Sequence, residues 1–172
     1  ASSDEGAMHE FRLRLRAMNR AERRRQAKQR QDGGPGGENT ADLFGKAVAH
    51  WRSGEPDQAR QLLSRILQAK PDHAEAINLT AILLVEEERY QDAAERFAQA
   101  ITIEPENANF RFNHAKALHG LGDLQAAEAG YRAVLDRDPR HRPSLAAIGR
   151  LREDQGLPDE AIDQYRAILA ND

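Results

Sequence analysis

The sequence of 172 residues predicts an all-α solenoid of four antiparallel helix pairs. The first observation is a repeat, because Pro71, Pro105 and Pro139 lie 34 residues apart. The second is that other positions of this period keep one size class of side chain in every unit. The third is that aromatic residues make up only 5% of the chain, so the core is expected to consist of Ala, Leu, Ile and Val, as in closely packed helices. A fixed period of this length indicates stacked supersecondary units.

The repeat assigns roles to its columns, a column being the set of residues 34 apart. Small residues that let two helices approach are Ala47, Ala81, Ala115 and Gly149 on the first helices and Ala59, Ala93, Ala127 and Ala161 on the second. Large residues that fill the space beside them are Leu63, Phe97, Tyr131 and Tyr165, and an aliphatic column holds Leu67, Ile101, Leu135 and Leu169. The units are residues 40–73, 74–107, 108–141 and 142–172.

The turns set the expected helix limits. Helices are predicted near residues 41–53, 57–69, 74–87, 91–103, 108–121, 124–137, 142–154 and 158–170. Gly54, Gly122 and Gly156 can adopt the left-handed conformation that ends a helix, and Glu88 is the exception in that column. Asp57 and Asp123 stand where a side-chain oxygen can cap the following helix.

Two basic residues interrupt the apolar columns. Arg111 and Arg152 stand where the other units hold Leu or Ile. We expect each to lay its aliphatic stem on the core and to keep its charge in water.

These columns resemble the tetratricopeptide repeat (TPR) family over about residues 40–172. The resemblance implies a right-handed superhelical solenoid of antiparallel helix pairs, whose concave face is lined by the first helix of each unit and binds peptides. TPR arrays usually end in a capping helix, and the fourth unit lacks one.

The expected peptide-binding residues lie on the first helices, off the faces used for packing. They are Phe44, Val48, Trp51, Asn78, Ile82, Val85, Phe112, Asn113, Lys116 and Arg150, with Arg52, Glu86, His119, Ala146 and Glu153 as neighbours on the same face. Several are apolar where a solvated groove would be polar, which favours an apolar or helical ligand. Core packing is the alternative for Trp51 and Phe112. Some TPR domains grip a carboxylate with Lys and Asn, but the first unit has neither at the matching places.

The sequence gives no basis for an active site. It has no Cys, and it shows no Gly-rich phosphate loop, nucleophile elbow or metal-ligand spacing. We therefore expect no catalytic residue, no metal and no cofactor in these residues, and we expect an adaptor or scaffold that holds another polypeptide. Two alternatives stay open: the substrate-recruiting region of a larger enzyme, such as a glycosyltransferase or sulfotransferase with its catalytic domain beyond Asp172, and a self-assembling scaffold.

The N-terminal region differs from the repeat. We divide the chain into a basic arm, residues 1–31, partly vector-derived if the native start is Met8 or Met18, a Gly-rich linker, residues 32–40, and the TPR domain, residues 41–172. Residues 8–31 carry nine Lys or Arg against two Glu, a net charge of +7, whereas residues 40–172 carry −6. The candidate partners are another protein or peptide, this arm, and a second copy of the chain. Nucleic acid is disfavoured because the arm lacks aromatics for base stacking.

The sequence contains no apolar run of transmembrane length, and its N-terminus lacks the apolar core of a secretory signal. A cytoplasmic location is the corresponding expectation.

Overall fold

The computed structural model describes residues 39–169, and all helices of that part are α-helices. They are α1 (Thr40–Arg52), α2 (Pro56–Ala69), α3 (Ala74–Glu86), α4 (Tyr90–Ile103), α5 (Ala108–Gly120), α6 (Leu124–Leu135), α7 (Arg142–Asp154) and α8 (Pro158–Leu169). The eight predicted helices are confirmed, with limits that differ from the expected ones by at most two residues. None of these helices is long and apolar enough to cross a membrane. The arm and nearly all of the linker lie outside the described residues.

By its contacts the chain divides into two units, Ala1–Leu43 and Phe44–Asp172. In the described part of the first unit, the Asn39 side-chain oxygen accepts a hydrogen bond from the Asp42 backbone N–H at 2.9 Å. Asn39 thereby satisfies one of the backbone donors that the start of α1 leaves free.

From α2 to α8, the second unit is built by packing each helix against the next one. Besides these sequential contacts, α3 touches α5 and α5 touches α7, so the first helices of successive repeats lie side by side. Phe97 on α4 is 1% exposed and packs with Ala81 of α3 and Ala117 of α5. Tyr131 on α6 occupies the same column and packs with Ile148 and Leu151 of α7. The predicted alternation of small and large columns is therefore the core of the stack.

The turns follow the predicted chemistry with one exception. Gly54, Gly122 and Gly156 have φ values of 74°, 82° and 74°, and Glu88 adopts the same conformation at φ 60°. A non-glycine residue pays a steric cost there, so the repeat geometry and not the local preference of Glu88 fixes this turn.

The capping prediction is right for one aspartate and wrong for the other. The Asp123 side chain accepts a hydrogen bond from the Ala126 N–H at 3.0 Å and caps α6. Asp57 instead lies inside the first turn of α2, because the helix begins one residue earlier, at Pro56. Its carboxylate pairs with Arg60 at 2.8 Å.

The prediction that Arg152 keeps its charge in water is also wrong. Its side chain is only 13% exposed and contacts Glu128 of α6 at 2.6 Å and Glu160 of α8 at 3.0 Å. The Glu128 carboxylate is itself 19% exposed, so the two charges compensate each other where water is largely excluded. Arg111 bonds to the backbone carbonyl of Pro105, at 2.6 Å from Nη2.

Candidate peptide-binding face

The first helices share one surface, which we call the inner face, and side-chain hydrogen bonds join them across it. Each bond links residues 35 positions apart. The Trp51 indole N–H donates to Glu86 Oε1 at 2.8 Å, Asn113 Nδ2 donates to Asn78 Oδ1 at 3.0 Å, and His119 Nε2 lies 2.7 Å from Asp154 Oδ2. These bonds connect α1 to α3, α3 to α5 and α5 to α7, so they fix the register of neighbouring first helices.

All ten residues expected to bind peptide lie outside the fully buried core. The half-buried ones are Phe44, Val48, Trp51, Asn78, Ile82, Val85, Phe112 and Asn113, and the exposed ones are Lys116 and Arg150. Their role in binding stays a prediction. Their partial burial means that each contributes to packing between helices and still presents part of its surface to solvent.

At the α1 end, two aromatic side chains already have partners within the chain. Phe44 lies 5.4 Å from the His73 ring, measured between centroids, and His73 caps α3 by accepting from the Ala76 N–H at 3.4 Å. The indole N–H of Trp51 is used by Glu86. Only the apolar surfaces of these two aromatic residues are therefore available to a ligand.

In the middle of the face, α3 supplies apolar side chains and a polar pair. Ile82 and Val85 pack against the core cluster of Phe97 and its alanines, and both remain half-buried. The Asn78–Asn113 bond uses one donor and one acceptor, and each amide carries two donor hydrogens and an acceptor oxygen. The remaining amide groups are suited to hydrogen bonds with a peptide backbone.

A pocket of about 290 Å³ opens between α5 and α7. It is lined by Phe112, Lys116, His119, Tyr131, Pro143, Ala146, Ala147 and Arg150. Three of the predicted peptide-binding residues, Phe112, Lys116 and Arg150, are thus brought together by the fold. Each of the two helices contributes apolar lining and one cationic side chain, Lys116 from α5 and Arg150 from α7, so apolar and positively charged surface meet in this pocket.

Two aromatic side chains, Phe112 and Tyr131, line this pocket. The Phe112 ring lies 5.6 Å from that of Tyr131 and 5.5 Å from that of His141, centroid to centroid. His141 is held in place because its Nδ1 accepts from the Ser144 N–H at 3.3 Å and caps α7. Burial raises the pKa of the Tyr131 hydroxyl to about 12, against an opposing effect of the nearby Arg150 charge. Tyr131 is therefore a neutral hydrogen-bond donor at physiological pH.

Tyr131 was not among the residues predicted for this site. Its column is filled by Leu63, Phe97 and Tyr165 in the other units, so size alone assigned it to the core. The available signal was the hydroxyl group, since a phenol needs a polar partner or an opening to water where Leu or Phe does not. Pro143 and Ala147 gave no comparable signal.

Metal binding finds no support in the described part of the chain. Between Asn39 and Leu169, no group of three or more His, Asp or Glu side chains is arranged to hold a metal ion.

Comparison with known proteins identifies the repeat. Two family models described as tetratricopeptide repeat match residues 44–109 and 84–151, which together span most of the region between α1 and α7. Tetratricopeptide repeat protein 8 of Caenorhabditis elegans is 27% identical over 121 residues, covering 69% of this chain and 24% of that protein. Small glutamine-rich tetratricopeptide repeat-containing protein 2 of Saccharomyces cerevisiae is 24% identical over 136 residues, covering 77% of this chain and 39% of that protein.

Solved structures agree on the fold. The structure of MamA from residue 41 to its end, from Desulfovibrio magneticus RS-1, superposes with a TM-score of 0.69 at 16% identity and covers 77% of this chain and 75% of that one. At this identity the likeness concerns the fold alone. The chain spans less than half the length of the two curated relatives named above.

These matches agree with the expectation that the residues form an interaction module. The stacked helix pairs, the family models and the curated relatives together describe a helical protein-interaction scaffold. The chain belongs to the tetratricopeptide repeat family.

Proposed function

We propose that this chain binds a segment of another protein along its inner face. The observation that carries the proposal is the apolar character of that face. Half-buried Phe44, Val48, Ile82, Val85 and Phe112 follow one another along α1, α3 and α5 and lead to the α5–α7 pocket. Apolar side chains that remain accessible in a row mark surfaces that bury area against a partner.

The polar groups of the face favour a peptide segment over a small molecule. Asn78 and Asn113 carry amide groups beyond those used in their mutual bond, and such groups suit the backbone of an extended segment or the end of a helix. The face also runs along several helices, whereas a small molecule is usually held in one enclosed cavity. The ligand is therefore a segment with apolar side chains at intervals.

The experiment is selection of peptides from a random display library, followed by affinity measurement on two matched variants. Ile82→Ser removes an apolar side chain from the inner face, and Ile103→Ser removes one that is 37% exposed on α4, outside that face. We expect Ile82→Ser to weaken binding about tenfold or more, as the loss of a central apolar contact does. Ile103→Ser should leave the affinity unchanged.

Circular dichroism melts of both variants establish that each is folded at the temperature of the binding assay. Equal affinities for Ile82→Ser, Ile103→Ser and the parent chain would show that the selected peptides bind elsewhere. Selection of no peptide above background by the folded parent chain would also contradict the proposal.

The chain's own arm is a second candidate ligand, because residues 8–31 carry +7 and residues 40–172 carry −6. A synthetic peptide of residues 8–31, added to a chain that lacks residues 1–31, tests this directly. Saturable binding that Ile82→Ser weakens supports the arm as an occupant of the inner face, whereas no binding restricts the ligand to other proteins.

A further inference from the structure

The four first helices are capped from one column of the repeat, and two kinds of side chain alternate in it. The capping residues, 34 positions apart, are Asn39, His73, Asn107 and His141. Each accepts a hydrogen bond from a backbone N–H of the first turn, at 2.9, 3.4, 3.2 and 3.3 Å in that order. An amide oxygen carries no titrating proton, whereas an imidazole nitrogen accepts only while it is unprotonated. Of these four caps, those of α3 and α7 can therefore respond to pH, because imidazole changes its charge between about pH 5 and 8.

At His73, one ring nitrogen lies between two competing partners. Nδ1 is 3.4 Å from the Ala76 backbone nitrogen, which donates to it, and 3.1 Å from Glu75 Oε2. The unprotonated nitrogen can accept from Ala76 but has no hydrogen for the carboxylate, and the protonated nitrogen can donate to Glu75 but cannot accept from Ala76. The His73 side chain is 11% exposed and that of Glu75 is 52% exposed. A single proton therefore selects between the cap of α3 and an ion pair nearer to water.

The same imidazole ring contacts the inner face. Its centroid lies 5.4 Å from that of the Phe44 ring, with 34° between the two planes. Phe44 is half-buried and begins the apolar row that leads along α1, α3 and α5. The position of an inner-face side chain thus depends on a ring whose charge depends on pH.

We propose that His73 is a pH-dependent cap that regulates peptide binding at the α1 end of the inner face. This inference rests on the proposed function and concerns the regulation of that same surface. The neutral ring caps α3 and packs against Phe44. In acid, Nδ1 carries a proton and pairs with the Glu75 carboxylate, so the first turn of α3 loses its cap. The positive end of the helix dipole adds to this loss, since it disfavours a cation at the start of a helix. Peptide affinity falls in acid because Phe44 loses the ring that holds it.

His141 provides an internal comparison, because its Nδ1 has no competing carboxylate on α7. Nδ1 lies 3.3 Å from the Ser144 backbone nitrogen and 2.8 Å from Ser144 Oγ, and both groups can donate to it. The first turn of α7 contains no acidic residue, and Pro143 stands in the column of Glu75. A proton on His141 would therefore gain no ion pair within this turn.

The charged groups around the two rings differ in the same direction. His73 meets the uncharged Phe44 from α1, and the charged residues beside it in the turn and on α3 are of both signs: Lys70, Asp72 and Glu75. His141 meets the uncharged Phe112 from α5, and the charged residues beside it or lining the pocket next to Phe112 are mostly cations: Asp138, Arg140, Arg142, Lys116 and Arg150. We therefore assign the response to His73 and not to His141.

Hydrogen exchange tests the cap on the full chain without any ligand. NMR measures the protection factor of the Ala76 amide, which corrects for the intrinsic effect of pH on exchange, at about pH 7.5 and about pH 5.5, on either side of the range in which imidazole titrates. We expect the protection factor to fall roughly threefold to tenfold in acid, as the loss of one helix cap predicts. His73→Asn should remove this fall, because Asn caps α1 and α5 from the same column. His141→Asn is the matched control and should leave the fall unchanged, and Glu75→Gln should reduce it because the charged ring loses its ion pair.

Affinity tests the link to the inner face. Peptides that contain no His, selected on the parent chain at neutral pH, are titrated into the parent and into His73→Asn at both pH values. The parent should bind about threefold to tenfold more weakly in acid, in proportion to the lost cap. His73→Asn should bind equally well at both, since its cap does not titrate.

An Ala76 protection factor that does not change with pH in the parent chain overturns the inference. So does a change that persists in His73→Asn or disappears in His141→Asn. A parent affinity that is the same at both pH values also overturns it, and the proposed function then stands, because the same peptides still depend on Ile82. Failure to select any peptide contradicts the proposed function and is distinguishable from failure of the cap, because the protection factor is measured without a ligand.

Discussion

Helices α4 and α8 occupy equivalent positions in the second and fourth repeats, yet the same columns differ in burial. On α4, Phe97 and Ala100 are at most 1% exposed, because α5 covers them with Phe110 and Ala117. On α8, the corresponding Tyr165 and Ile168 are only half-buried. The contrast is larger at Ile162 and Leu169, which are 45% and 72% exposed.

The difference shows that a column of the repeat only allows a contact. The contact forms where a following helix pair covers the residue. Stability in stacked repeats is a sum of terms within units and between neighbours. A residue on α4 contributes to both terms, and its equivalent on α8 contributes to the first alone within the described residues. Substitutions in one column should therefore have unequal effects in different units.

The largest inequality is expected in the column of large side chains. Phe97→Ala should lower the free energy of unfolding by roughly 3–5 kcal/mol, since it leaves a cavity between α3, α4 and α5. Tyr165→Ala should cost about 1–2 kcal/mol, because the Tyr165 side chain is only half-buried. Urea denaturation followed by circular dichroism measures both.

A Tyr165→Ala cost equal to that of Phe97→Ala would mean that the outer side of α8 is covered in solution. A Phe97→Ala midpoint equal to that of the parent chain would instead remove Phe97 from the core.

Much of the core was predictable from sequence, because the columns that define it depend on side-chain size alone. The period identified the eight helices, the packing of Phe97 and the left-handed turns at Gly54 and Gly122. It did not predict the position of the Arg152 side chain. Glu128 and Arg152 are 24 residues apart and belong to no shared motif, so only the packing of α6 against α7 brings them together.

The ion pair of Glu128 and Arg152 provides the second prediction. Glu128 stands in the column of Ala94 and Ile162, which carry no charge. The hydrogen bond from Arg152, aided by the Arg152 and Arg132 charges, lowers the pKa of Glu128 against the opposing effect of burial. A carboxyl group whose pKa is lower in the folded state stabilises the fold above its unfolded pKa, about 4.3, and the stabilisation is lost as the pH falls through the folded value.

Glu128→Gln should therefore destabilise the chain by roughly 1–3 kcal/mol at pH 7 and by progressively less below about pH 4. Melting temperatures of the variant and the parent, measured from pH 7 to pH 2.5, should converge at the acidic end. Glu106→Gln is the matched control, since the exposed Arg137 lowers the pKa of Glu106 at the surface, where its loss should matter much less. A gap between Glu128→Gln and the parent that stays constant with pH would exclude this pair as its source.

The candidate site was predictable to a smaller extent than the core. Helical periodicity placed Phe112, Lys116 and Arg150 on one face, and the structure brings them to one pocket. It did not reveal that Trp51 and Asn78 bond to neighbouring first helices, because those bonds depend on the lateral spacing of α1, α3 and α5. Contacts between residues of different repeats follow from superhelix geometry, which a repeat pattern does not contain.

The smallest expected effect completes the comparison of α4 with α8. Ile101 and Leu169 share one column, and Ile101 packs with Ala100 and Phe110 whereas Leu169 is 72% exposed. Ile101→Ser should cost about 1–3 kcal/mol, because it removes buried apolar area and places a hydroxyl against the core. Leu169→Ser should change stability by no more than about 0.5 kcal/mol, as expected for a surface position.

The two variants are compared by urea denaturation at several protein concentrations, with sedimentation velocity on the same samples. A cost at Leu169 that rises with protein concentration, together with loss of a dimer in the variant, would show that a second copy covers α8, as the self-assembling alternative requires. A cost at Leu169 equal to that at Ile101 in a monomer would contradict the stated difference between the two helices, because a side chain that water already surrounds has little burial to lose.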